Sequence, residues 1–140
     1  MRRLAVAAAL LLVLTTPLMA QRPDAPIDAS LFGEWVGGIF PPPVTLSARE
    51  CLSQPMVIFT RDSVLHAIMT STGYEQRAIE SVRATPTGFV IQLYPDRNPG
   101  LVGFGCPNPD VLPVQRRGND EIAFPDCSAL PFPLIRCATH

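Results

Sequence analysis

His66 is the one histidine of this 140-residue chain that falls inside an expected strand, the other, His140, being the last residue. A general base needs an orienting carboxylate and a nucleophile within reach, and the neighbouring Asp62-Ser63 is too common a surrounding to specify either. The chain contains no G-x-S-x-G elbow, no H-E-x-x-H pair and no phosphate-cradling loop. One histidine supplies neither a metal site nor a matched acid–base pair, so His66 reads as a surface or core-edge residue. Glu34 adjoins Trp35, and strand alternation turns it away from the tryptophan and toward solvent. Glu75, Arg77, Glu80 and Arg83 read as a solvated, ion-pairing face. No catalytic residue, cofactor or metal site follows. Trp35, His66 and Tyr74 are the residues expected to face the core or a ligand.

The remaining reactive side chains are Cys51, Cys106, Cys127 and Cys137. Their spacings do not fit a zinc knuckle or a haem attachment, and an even count in an exported domain reads as two disulfides. Three connectivities are open. The short Ser128 to Pro133 segment favours Cys127 with Cys137, which leaves Cys51 with Cys106.

Export is read from the N-terminus. Arg2 and Arg3 precede an apolar run from Leu4 to Leu14, and Thr15-Thr16-Pro17 ends it ahead of Leu18-Met19-Ala20. This is the layout of a secretory signal cleaved after Ala20, and the run is short of the ~20 residues that span a bilayer. The expected organisation is a signal over 1–20, an extended arm over 21–30 and one domain over 31–140, periplasmic or secreted, with no membrane anchor after cleavage. Removing Arg2 and Arg3 takes the formal charge from -1 to -3, nine arginines against twelve acidic residues. An acidic chain without a basic stretch offers nucleic acid no electrostatic footprint.

Short β-branched and apolar runs punctuated by turn residues must position whatever site exists. They fall at Leu31 to Gly38, Met56 to Thr60, Val64 to Met69, Phe89 to Tyr94, Val111 to Arg116, Glu121 to Phe124 and Leu134 to Cys137. In the first, Gly33 is expected to permit a close backbone approach, and Trp35 to plug the core. Tyr74 to Ala84 fits two patterns. Thr72-Gly73-Tyr74-Glu75 matches a capping box, with Tyr74, Ala78 and Val82 on one helical face, but the flanking turn Thr85-Pro86-Thr87-Gly88 favours a hairpin strand. As a strand, it sets Glu75, Arg77, Ile79, Ser81 and Arg83 opposite Tyr74, Ala78, Val82 and Ala84. From Pro95 to Pro113, prolines and glycines make a loop. The sum is an all-β fold: a small antiparallel β-barrel or sandwich of about seven to eight short strands, disulfide-stapled, with proline-rich loops.

Gly33-Glu34-Trp35 on a first strand, soon after an exported arm, resembles the opening of lipocalin-like β-barrels and of the small periplasmic inhibitors of secreted metalloproteases. The resemblance covers Leu31 to about Gly38, with Cys51 downstream; the extra cysteines and proline-rich C-terminal third depart from both patterns. It implies a barrel, and either a small apolar ligand in the barrel mouth or an N-terminal arm that enters a protease cleft. Taken with the lack of catalytic residues, the first expectation is an exported, non-catalytic interaction module. It would bind an envelope or secreted protein through the arm or through loops exposing Phe40, Leu101, Phe104 and Phe132. The alternative is a lipocalin-like carrier of a small apolar ligand, and the third reading is a hydrolase or isomerase using His66.

Overall fold

A computed structural model describes residues 29–53, 56–67, 72–97 and 103–137. The expected signal, most of the arm and Leu101 lie outside the described residues.

Eight antiparallel strands close into a barrel in sequence order, β1 pairing with β8. They are β1 Gly33–Gly37, β2 Val57–Phe59, β3 Ser63–Ala67, β4 Tyr74–Thr85, β5 Gly88–Leu93, β6 Val111–Arg116, β7 Glu121–Ala123 and β8 Leu134–Arg136. Among the described residues one short helix, α1 Ala48–Ser53, sits in the β1–β2 connection and contacts β1. Alternation builds the core: inward residues include Trp35, Val57, Phe59, Val64, Ile91, Leu93, Leu112, Val114, Ile122 and Leu134. Eight strands enclose a space that side chains fill. Phe104, Phe124 and Leu130, contributed by connections, complete the packing.

Up-and-down order gives the barrel two unlike ends. At one, the turns 60–62, 86–87 and 117–120 are short. At the other the chain passes from β1 to β2, β3 to β4, β5 to β6 and β7 to β8 through longer connections, 38–56, 68–73, 94–110 and 124–133, of which 38–53, 56, 72–73, 94–97, 103–110 and 124–133 are described. These are called the short-turn end and the long-connection end below.

Two glycines show different needs. Gly33 has φ +114° with open space around a would-be Cβ, so it serves backbone conformation and not the close approach expected of it. A Cβ on Gly88 would collide with the Val114 carbonyl across the β5–β6 ladder. Pro113 is tolerated inside β6 because β6 pairs with β7 only at Gln115 and Arg116, beyond the position where its missing amide would be needed.

The disulfides are Cys51–Cys137 and Cys106–Cys127, and no described cysteine is free. The favoured pairing of Cys127 with Cys137 is therefore corrected. Cys137 leaves β8 beside β1, its amide donating to the Glu34 carbonyl, which places it against α1 and Cys51. Cys127 instead turns toward the 94–110 connection, where Ser128 and Ala129 donate amide hydrogen bonds to the Gly105 and Phe104 carbonyls.

β4 also departs from expectation. It is a strand, but its register against β3 pairs His66 with Glu75 and Val64 with Arg77. Directly opposed residues share a face, so Glu75 and Arg77 point into the barrel while Tyr74 and Ala78 point out. A register shift between Ile79 and Ser81 then inverts the alternation and returns Val82 to the interior. The solvated face expected for Glu75 and Arg77 is thus an inner face, and Tyr74, expected in the core, is 40% exposed.

Candidate functional site

Trp35 anchors the interior. It is 1% exposed, its indole N–H donates to the Leu31 carbonyl at 3.0 Å, and the Arg136 guanidinium lies 4.8 Å over its ring. This stack joins the first and last strands at the seam where the barrel closes, since Trp35 and Arg136 are register partners.

From Trp35 the register runs through Val57 to His66 and Glu75, all on the inner face. His66 is 5% exposed and stacks on Phe104, ring centroids 4.9 Å apart. Phe104 in turn lies against Phe124, so it plugs the barrel and does not project as the exposed loop residue expected. Neither His66 nitrogen nor either Glu75 carboxyl oxygen has a hydrogen-bond partner, although all four atoms are sealed from solvent. Burial lowers the His66 pKa. Burial also raises that of Glu75, against the opposing pull of Arg77 and with reinforcement from Asp96.

One step further along β4, Arg77 makes the satisfied counterpart. Its Nη2 reaches Asp110 Oδ1 at 2.7 Å and the Tyr94 carbonyl at 2.8 Å, and Nη1 donates to the Pro109 carbonyl at 3.3 Å. One buried guanidinium thus ties together both ends of the 94–110 connection.

Among the described residues neither His66 nitrogen is hydrogen-bonded to a hydroxyl or carboxylate. The Ser63 hydroxyl, the neighbouring candidate nucleophile, is engaged with Thr60 Oγ1 at 2.8 Å and accepts from Gln76 Nε2 at 3.1 Å. Among the described residues no three His, Cys, Asp or Glu converge as a metal site. Grooves open to solvent between α1 and β8 and beside the 124–133 connection, and neither of these is lined by His66 or Glu75.

The surface divides sharply. Phe40 (64% exposed), Val44, Tyr74, Tyr94 and Phe132 are the exposed large apolar side chains among the described residues. All five lie on, or next to, connections of the long-connection end. The Phe132 amide donates to the Gly38 carbonyl at 2.9 Å, which brings the loop bearing Phe132 beside the one bearing Phe40. The proline-rich loops were the sequence signal for Phe40 and Phe132. Nothing in the residue types marked Glu75, whose burial comes from β3–β4 register.

No protein-family model, no curated protein and no solved structure matches this chain. What the chain itself supplies is a closed barrel of eight strands with two disulfides, and paired cysteines point to an oxidising, extracytoplasmic environment.

Proposed function

We propose that this chain is an exported, non-catalytic binding module, an accessory or inhibitor-like protein of the periplasm or the secreted medium, that engages a protein through its long-connection end. The observation that carries the reading is the gathering of Phe40, Val44, Tyr74, Tyr94 and Phe132 at one end of a barrel whose interior is filled with side chains. Isolated exposed apolar residues are ordinary, whereas aromatics gathered on stapled connections are suited to bury against a partner. Capture from an envelope fraction with the mature chain tests it. A stoichiometric partner is expected that is retained by Arg117→Ala at the short-turn end and lost with Phe40→Ser plus Phe132→Ser; equal recovery by both variants, or none by the wild type under mild crosslinking, overturns it.

A lipocalin-like carrier is the second reading, favoured by one observation: the four unpartnered polar atoms of His66 and Glu75 inside the barrel. Native mass spectrometry separates the two, because a carrier co-purifies with a small-molecule mass and a packed protein-binding barrel does not.

A further inference from the structure

Between Gly38 and α1 the chain crosses the long-connection end as Ile39-Phe40-Pro41-Pro42-Pro43-Val44. The consecutive prolines fix their own φ at about −65°, and Phe40, Pro41 and Pro42, each preceding a proline, are held out of the helical region. No described peptide bond is cis, so the run is extended in the manner of polyproline II, which repeats every three residues. Burial follows that period. Ile39 packs against the core, and three residues on, Pro42 lies over β1, where a Cβ added to Gly37 would meet Pro42 Cβ at 3.3 Å. The other two edges turn outward, one carrying Phe40 with Pro43 and one carrying Pro41 with Val44. Phe40, Pro41 and Val44 are exposed and Pro43 is half-buried.

The backbone is open as well. Pro41 to Pro43 carry no N–H with which to extend a sheet, and no described group donates to the carbonyls of residues 40–44. A partner must therefore read ring faces and carbonyl acceptors, not a strand edge. The segment is held on both sides. Before it, the Gly38 amide donates to the Pro133 carbonyl and the Gly38 carbonyl accepts from the Phe132 amide; after it, α1 is tied down by Cys51–Cys137. Little backbone freedom is left to lose on association.

We propose that Phe40 to Val44 is a polyproline-type recognition segment, and that the partner of the long-connection end is a protein with an aromatic-lined groove. Its rings receive Pro41 and Val44 along one edge and Phe40 along the other, and its indole N–H or phenol O–H groups donate to the free carbonyls. The inference rests on the proposed docking of that end and names the chemistry of the partner.

Envelope capture with the mature, disulfide-bonded chain tests it when repeated with Pro41→Ala plus Pro43→Ala, which keeps every carbonyl, Phe40 and Val44 but loosens the backbone and removes two rings. Recovery should weaken about tenfold. A synthetic peptide of residues 39–45 should displace the captured partner and change its tryptophan or tyrosine fluorescence, and the same peptide with both alanines should do neither. A partner lost with Phe40→Ser plus Phe132→Ser, yet held equally by the proline variant and not displaced by the peptide, overturns this inference and leaves the docking end standing. No partner, or one indifferent to both pairs of substitutions, overturns both. The free protein supplies a reading that needs no partner: NMR should show Pro42–Gly37 Overhauser contacts and a rigid backbone over 39–45, and order parameters below about 0.6 there overturn the inference.

Discussion

At the short-turn end the chain reverses over Thr60-Arg61-Asp62, Pro86-Thr87 and Arg117 to Asp120, polar turns in which most residues are exposed. At the other end the connections are long, bear the exposed aromatics, hold three of the four cysteines and send Phe104 and Phe124 back into the barrel. Local turn chemistry suffices for the first end. The second has too little regular structure to hold itself, and it relies on the Cys106–Cys127 disulfide, the Arg77 node and the packing of Phe104 on His66, while Cys51–Cys137 ties the 38–56 connection to the far end of β8, level with the 117–120 turn. Loops on a rigid barrel are where binding surfaces are commonly built, and here the Cys106–Cys127 bridge and the Arg77 node fasten two of the connections at the end that carries the apolar surface.

Substitutions can break or sharpen this contrast. The largest effect is expected from the disulfides. In the chain-entropy account, opening the 86-residue span of Cys51–Cys137 by paired alanine substitution costs about 5 kcal/mol, and the 21-residue span of Cys106–Cys127 about 3 kcal/mol. Urea denaturation of both double variants reads this order, and equal losses would mean that long-range closure is not what the first bridge contributes. Next, Arg77→Met strands Asp110 and two carbonyls and should cost about 3 kcal/mol, with the 94–110 connection losing amide protection first. Removal of an unpartnered buried group works in the opposite direction. Glu75→Leu should raise stability by about 1–2 kcal/mol at pH 7, visible as a higher Tm, and a loss of similar size would show that the carboxyl has a partner that matters. The smallest changes are expected at the surface: Arg61→Ala at the short-turn end and Phe40→Ser at the other should each move stability by no more than about 0.5 kcal/mol, so that partner capture alone distinguishes them.

Much of the barrel was legible in the residues. β1, β2, β5, β6 and β8 lie where short apolar runs bounded by turn residues put them, and Trp35 occupies the core because a large apolar side chain on a first strand has few other places to go. The candidate site was less legible. Tyr74, Ala78 and Val82 looked like one apolar face, and Glu75 with Arg77 like its solvated reverse. One inserted residue between Ile79 and Ser81 splits that face in two, and such a bulge leaves no mark in residue type when the strand is polar throughout. The disulfide pairing failed for a related reason. Nearness in sequence favoured Cys127 with Cys137, but closure of β8 against β1 carries Cys137 away to Cys51.

By itself the sequence determined the class of fold, the positions of most strands and the use of four cysteines as staples, because periodicity, turn chemistry and cysteine count act over a few residues at a time. The tertiary structure alone decided that the sheet closes, which cysteines meet, and that a histidine and a glutamate share the barrel interior. Those depend on register between strands. A shift of one residue reverses every side chain, and only the assembled barrel fixes it.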